Sequence, residues 1–172
     1  MRLVHTARAV AVAVGLVGGA RASAGSAEAT AQRQRVAINM IVNNETGTAI
    51  FTLSRLPSQA HPPMDVPGVR LDEGTVAMEG GGWGTLNRNG MRVMGHVRRP
   101  SLDGQHGTLE LVQRFDMTEM QNGTGVGVGT WKIRNGTGAY SGFKGGGRYV
   151  AVAVPNGRRT LVRQEGWVTV TG

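Results

Sequence analysis

The side chains of this sequence that could do chemistry are few, and they are spread along the chain. We expect Tyr140, Glu110 and Arg114, together with the ring of Trp131, to contribute to any ligand-binding site. A carboxyl such as that of Glu110 would act as an acid or a base only in the protein interior, where burial raises its pKa. The sequence contains no G-x-S-x-G motif and no paired-carboxylate motif, so no catalytic residue is assigned.

The alternation of residues 109–116 indicates where the acidic side chains point. Glu110 and Asp116 alternate with Leu111 and Phe115. In a strand these two sets project to opposite faces. If the apolar set fills the interior, both acids face solvent, and this is the interpretation that we favour.

Histidine and methionine residues suggest a copper site. Met94 and His96 share one face of a strand, and thioether and imidazole groups suit copper. However, Met91 points to the opposite face, and the chain has no compact repeat of Met and His. Methionine also fills irregular cores. We therefore expect neither a metal nor a cofactor.

The first 24 residues are typical of a secretory signal peptide. Arg2, His5 and Arg8 form a basic start, and residues 9–19 form an apolar run of 11 residues. Residues 22–24 match an A-x-A cleavage site. The run is shorter than the roughly 20 residues that a transmembrane helix needs. We expect a signal peptide at 1–24, a flexible tail at 25–34 and a folded domain at 35–172, exported to the periplasm or the extracellular space.

The chain is basic, with 19 Lys and Arg residues against 11 Asp and Glu residues and a formal net charge of +8. Removal of Arg2, Arg8 and Arg21 with the signal peptide leaves 16 basic and 11 acidic residues, a net charge of +5. An excess of this size mainly keeps a protein soluble. The arginines are spread over several turns, so we expect no nucleic-acid partner. The chain has no cysteine, which excludes disulfides and thiol chemistry.

From residue 35 onward the hydrophobic pattern has a period of two, which is typical of β-strands. Every second residue from Val36 to Val42 is large and apolar, and a turn at 43–47 leads into a second strand. Residues 57–67 contain four of the six prolines and are expected to form a loop. Further strands are expected at 75–79, 82–87, 91–98, 108–117, 124–134, 145–154 and 160–171. Eight or nine strands joined by short turns favour an all-β fold, a single closed antiparallel β-barrel of about eight strands in meander order, with a β-sandwich as the alternative.

Residues 123–147 include ten glycines, yet their aromatic and branched residues are spaced as in strands. Gly125, Gly127 and Gly129 share one strand face with Trp131. Each glycine costs a strand about 0.5–1 kcal/mol relative to alanine. The bare face therefore makes room for strong curvature, for a large side chain or for a ligand.

Residues 135–142 form the expected corner between two long strands. Their glycines allow the positive φ that a reversal of the chain needs. We expect Tyr140 to fold back at this corner and to plug one end of the barrel with its ring. Its hydroxyl would then be available to a site at that end.

Residues 131–147, W-K-I-R-N-G-T-G-A-Y-S-G-F-K-G-G-G, resemble the penultimate hairpin of the allene oxide cyclase/dirigent-like barrels. The shared pattern is G-T-G, an aromatic residue and then G-x-x-G. The resemblance implies an eight-stranded antiparallel barrel with an apolar lumen, often trimeric, whose known members cyclise or guide reactive small molecules. This chain departs from the plant members through its methionines and its proline-rich segment, and their catalytic residues do not map onto it.

Three functions remain open. The first is an exported barrel that binds a small apolar or aromatic molecule in its lumen without turnover, and this is the one we expect. The second is a cavity-shaping cyclase or isomerase of the allene oxide cyclase/dirigent type. The third is a barrel with a filled lumen that acts through its surface or as a homo-oligomer, a dimer or trimer. A cavity of about 300 Å³ or more favours the first two, whereas a lumen filled by Trp83, Phe115, Trp131 and Trp167 favours the third.

Overall fold

A computed structural model of the chain describes residues 32–57, 68–88, 91–119, 124–154 and 157–170. These residues form eight antiparallel strands and one turn of 3-10 helix, and the strands close into a barrel in their order along the chain. The prediction of an all-β meander barrel is confirmed, and the β-sandwich was wrong. Outside the described residues lie the expected signal peptide, most of the expected tail and residues 58–67 of the proline-rich segment, with His61 and Met64.

Most strands are between eleven and fourteen residues long, the second being shorter and the third longer. Their bounds are β1 Gln32–Asn43, β2 Ala49–Arg55, β3 Val69–Arg88, β4 Met91–Gly104, β5 Thr108–Glu119, β6 Gly125–Gly136, β7 Phe143–Ala153 and β8 Arg159–Val170. The 3-10 turn Gly138–Tyr140 lies between β6 and β7. Gly138 and Gly142 have φ of 58° and 76°, so two glycines of the expected corner adopt positive φ as predicted.

The barrel begins earlier than the sequence pattern indicates. Gln32 pairs with Val170, and β1 pairs with β8 over its whole length. The last three residues of the expected tail are therefore part of the closing strand. Gln32 and Arg33 are exposed, so this end of the strand lacks the apolar alternation that marked the rest of it.

The two strands expected at 75–79 and 82–87 are one continuous strand, β3. Gly80 has a φ of 114°, a backbone conformation that glycine adopts more readily than other residues. The register with β4 shifts between Trp83 and Thr85. The pairing with β4 nevertheless continues to Arg88. The prediction of a break was wrong because glycines in a strand bend it as readily as they end it.

The strands of the barrel are strongly tilted. Directly paired residues lead around the barrel from Gly82 through His96, Phe115, Gly129, Tyr149, Gln164, Ile38 and Leu53 to Asp72. The path returns to β3 ten residues before its start. Such a stagger accompanies a tilt of the strands against the barrel axis. Residues that are neighbours in one ladder therefore lie at different depths of the lumen.

Alternate residues of the strands supply the large side chains of the interior, as the period of two predicts. On β1, Val36, Ile38 and Met40 are buried, whereas Ile41 is 45% exposed. The buried core continues around the barrel with Phe51, Leu53, Leu102, Leu109, Leu111, Phe115, Trp131, Tyr149, Ala151, Val162 and Val168. Asp72, Gln113, Thr160 and Gln164 are the polar residues buried among them in the described part of the chain.

Candidate functional site

One end of the lumen holds a cavity of about 390 Å³, which we call the lumen cavity. Among the described residues, its polar lining consists of Gln34, His106 and Tyr140. Its apolar lining is Val36, Ile38, Leu53, Leu71, Leu109, Trp131, Ala139, Phe143 and Val168. His106 and Ala139 are exposed and therefore form its rim. Sites for small molecules are mostly apolar and span about 300–1,000 Å³, so this cavity has a suitable size and lining.

Two glycines make room for the Trp131 wall of the lumen cavity. Trp131 is paired with Gly147, which is in turn paired with Gly166. Because neither glycine has a side chain, the indole reaches across to β8, where its Nε1 donates a hydrogen bond to the carbonyl oxygen of Glu165 at 3.3 Å. Trp131 is 1% exposed and lines the cavity, so its indole forms a buried part of the cavity wall.

Another part of the lumen is filled by stacked rings. The ring of Phe115 lies 5.0 Å from that of His96 and 4.5 Å from that of Tyr149, measured between centroids. Gly129 stands between Phe115 and Tyr149 in the ladder, and its missing side chain lets the two rings meet across β6. The bare glycine face therefore accommodates large side chains here.

The aromatic residues expected to fill the lumen divide into two groups. Phe115 and Trp131 are buried inside the barrel. Trp167 is half-buried, and the guanidinium of Arg33 lies 4.6 Å from its ring centroid. The side chain of Trp83 lies outside what the structure describes. The stacked rings around Phe115 fill one part of the lumen, whereas the lumen cavity leaves another part hollow.

Tyr140 and Asp72 form a buried hydrogen-bonded pair at the lumen cavity. The Tyr140 hydroxyl donates a hydrogen bond to Oδ2 of Asp72, whose side chain is buried. The carboxylate also accepts the backbone N–H groups of Glu73, Gln105 and His106 at 2.8, 3.0 and 3.2 Å. One carboxylate thereby joins β3, the β4–β5 loop and the 3-10 turn.

The protonation states of this pair follow from these bonds. Burial alone would raise the pKa of the Asp72 carboxyl, but the hydrogen bonds from Tyr140 and the backbone outweigh it and hold that pKa below its usual value. Burial raises the pKa of the Tyr140 hydroxyl far above its usual value, and the hydrogen bond to Asp72 and its charge raise it further. The pair is therefore an ionised carboxylate beside a neutral phenol.

Of the four residues predicted for a ligand site, the structure brings two together. Tyr140 and Trp131 both line the lumen cavity. Glu110 is half-buried and Arg114 is exposed, and neither lines the cavity. Both lie on the outer face of β5 because the alternate residues of that strand fill the lumen. Asp116 is exposed on the same face, in agreement with the favoured interpretation of the acids.

Sequence reasoning missed Asp72 and Gln34. Asp72 lies before the start that was expected for its strand, and Gln34 was assigned to the tail. The period of two held a usable signal in both cases. Two steps of two residues back from Val76 lead to Asp72, and one step back from Val36 leads to Gln34.

The described residues offer little for a metal ion. No group of three or more His, Cys, Asp or Glu side chains lies together among them. Burial, and then the positive charge of Arg98, lower the pKa of His96, whose ring stacks on Phe115. Within the same described ranges, no helix is both long and apolar enough to cross a membrane.

Comparison of the chain with protein-family models, with curated proteins and with solved structures finds no significant match. The function therefore rests on the chemistry of the site itself. The lumen cavity and the polar groups around it are the features that bear on it.

Proposed function

We propose that this protein binds a small apolar or aromatic molecule in the lumen cavity without converting it. The observation that carries the proposal is a cavity of about 390 Å³ with mainly apolar walls. Protein interiors are normally close-packed, and an apolar cavity lowers stability. A cavity of this size inside an otherwise filled barrel is accounted for by a ligand that occupies it.

Two features favour binding over turnover. The proton of the Tyr140 hydroxyl is engaged by Asp72, and the raised pKa of Tyr140 makes its transfer to a ligand unfavourable. Glu110, the candidate for acid–base chemistry, and Arg114, a candidate for ligand binding, are not part of the cavity lining. The resemblance of residues 131–147 to the allene oxide cyclase/dirigent-like barrels keeps a cavity-shaping cyclase or isomerase as the alternative proposal.

Binding of the apolar fluorophore N-phenyl-1-naphthylamine tests the proposal. We expect a saturable rise in its fluorescence, with energy transfer from Trp131 in the cavity wall. Ala139→Phe places a ring at the exposed rim of the cavity and should weaken binding by about tenfold or more. Ser141→Phe adds the same ring to an exposed residue that does not line the cavity, and it should bind as the parent does. Absence of saturable binding, or equal binding by the two variants, would contradict the proposal.

Exposed apolar side chains on the outside of the barrel favour a second candidate, self-association. Ile50, Ile41 and Leu161 are paired on neighbouring strands and are between 45% and 56% exposed. We call the following set the outer apolar row: Ile50, Ile41, Leu161, Val152 and Val126, with Val150 and Val128 beside it. It crosses five strands and is about 20 Å wide at the usual strand spacing.

A second copy of this chain is the partner that we propose for the outer apolar row. Its large exposed side chains lie next to one another on neighbouring strands rather than scattered singly, as in protein–protein contact surfaces. Arg163, which pairs with Val150 beside the row, is already bound to Glu165 at 2.6 Å, so its charge is compensated within one copy of the chain.

Native mass spectrometry tests this second candidate. The parent should form a dimer or a trimer, and Leu161→Arg should be monomeric. Val69→Arg introduces the same charge at a residue that is 57% exposed but lies outside the row, and it should leave the oligomer intact. A monomeric parent would exclude self-association.

Export is proposed from residues 1–24 of the sequence alone. Terminal sequencing of the protein recovered from its own host should give a chain that begins at residue 25. A chain that begins at residue 1 would exclude the signal peptide.

A further inference from the structure

Gln34 brings an unused hydrogen-bond donor to the lumen cavity. Its side chain lines the cavity, and its Nε2 is buried without a hydrogen-bond partner among the described residues. Leaving a buried amide N–H unpaired costs free energy, because the group has given up its hydrogen bonds to water. A ligand atom that accepts this bond would remove the cost.

The other polar groups at the lumen cavity are already engaged. The Tyr140 hydroxyl donates to Asp72, and the Trp131 indole donates to the carbonyl oxygen of Glu165. His106 is exposed at the rim, where water can satisfy its ring. Within the described part of the lining, Gln34 is therefore the buried donor that remains for a ligand.

The position of Gln34 orients the ligand. Gln34 precedes Val36 and Ile38 on the same face of β1, and all three line the cavity. The amide therefore stands at one end of an apolar wall. A ligand whose polar atom meets Gln34 places its apolar body along Val36 and Ile38.

The charges around the cavity select against ionic ligands. None of the described lining residues is Lys or Arg, so an anion would find no counter-charge and would approach the Asp72 carboxylate. A cation would face the N–H groups of Gln34. It would also find the Asp72 oxygens already bonded to Tyr140 and three backbone groups.

We propose that the ligand is neutral and apolar, and that it carries a carbonyl-type oxygen that accepts a hydrogen bond from Nε2 of Gln34. This inference rests on the proposed function, because it specifies the ligand of the same cavity. It assigns Gln34 as the residue that distinguishes a neutral carbonyl compound from a hydrocarbon of the same shape.

Three matched naphthalene probes test this assignment by displacement of the fluorophore. The acceptor probe is 2-acetylnaphthalene, its apolar counterpart is 2-isopropylnaphthalene, and its anionic counterpart is 2-naphthoate. The variant Gln34→Met keeps the length of the side chain and removes the amide. The control Gln32→Met makes the same change at an exposed glutamine of the same strand.

The decisive quantity is the ratio of the affinities for the acetyl and isopropyl probes. Gln34→Met should lower this ratio by about five- to tenfold, whereas Gln32→Met should leave it unchanged. The naphthoate should bind at least about tenfold more weakly than the acetyl probe to the parent protein. A ratio unaffected by Gln34→Met, or a naphthoate that binds as well as the ketone, overturns this inference while leaving the proposed function standing. If no probe binds the parent, the inference and the proposed function fail together.

Discussion

The hydroxyl of Tyr140 donates a hydrogen bond to the carboxylate of Asp72, a residue 68 positions earlier in the chain. The bond explains how Tyr140 folds back into the end of the barrel, where its side chain is 5% exposed and lines the lumen cavity. It also gives the hydroxyl a structural partner. The ring forms part of the cavity wall, and the hydroxyl holds the 3-10 turn against β3.

Removal of the Tyr140 hydroxyl should lower stability. Tyr140→Phe leaves the buried Asp72 carboxylate without one of its four donors, so we expect the free energy of unfolding to fall by about 1–3 kcal/mol. Denaturant unfolding measures this loss. Tyr149→Phe is the matched control, since Tyr149 is buried in the same lumen but takes no part in the bonds to Asp72. A smaller loss for Tyr140→Phe than for the control would show that the bond contributes little.

Acid should destabilise the protein partly through Asp72. The pKa of Asp72 is lowered in the folded state, so its contribution to stability is present above its unfolded pKa of about 3.9 and is lost as the pH falls below it. Asp72→Asn should therefore be less stable than the parent at neutral pH. The difference in free energy of unfolding should shrink between about pH 5 and pH 2. Urea titrations at a series of pH values measure it, and a difference independent of pH would refute the account.

The two tyrosines of the chain should resist ionisation in the folded protein. Burial raises the pKa of Tyr149 to about 12, despite an opposing effect of Arg98. The pKa of Tyr140 is also raised, first by burial and then by Asp72. We expect no rise in tyrosinate absorbance near pH 10 until the protein unfolds, whereas both residues should titrate near their usual value of about 10 in denaturant.

Since both pKa values are raised in the folded state, the free energy of unfolding should fall as the pH rises above about 10. One tyrosine that ionises near pH 10 in the folded protein would contradict the burial of its hydroxyl.

Gly129 should tolerate no side chain, although the residues on either side of it in the sequence follow the ordinary alternation of inward and outward side chains in a strand. A Cβ atom there would lie 2.0 Å from the backbone oxygen of Arg114 and 2.5 Å from the Cα of Phe115. Gly129→Ala should therefore disturb the pairing of β5 with β6 and the stack of Phe115 on Tyr149, at a cost of about 1–3 kcal/mol. Gly81→Ala is the control, because a Cβ there meets nothing within 4 Å, and it should change stability by less than about 0.5 kcal/mol. Thermal unfolding and near-ultraviolet circular dichroism compare the two, and equal stabilities would exclude the steric account.

The barrel architecture was predictable because alternation along a strand is a local property. The apolar residues from Val36 to Val42 mark the lumen face of β1 without reference to any other strand. The glycines near Tyr140 likewise marked the corner, since positive φ is a requirement of the single residue. Where the local pattern was weak, at the start of β1 and before residue 75 of β3, the strand bounds were wrong.

The cavity depends on which residues face one another across strands. Residues 129 and 147 are both glycines, and they lie on the paired strands β6 and β7. Stacked rings meet across Gly129, however, whereas the indole of Trp131 crosses Gly147. The residues next to each glycine in the sequence do not distinguish the two positions, because the side chain that crosses each glycine comes from a partner on another strand. Likewise, Gln34 and Asp72 come to the same end of the lumen through the stagger of the closed barrel. Local periodicity was enough to assign strands and faces, but the hollow and filled parts of the lumen follow from register, which arises only when the eight strands close and their side chains pack together.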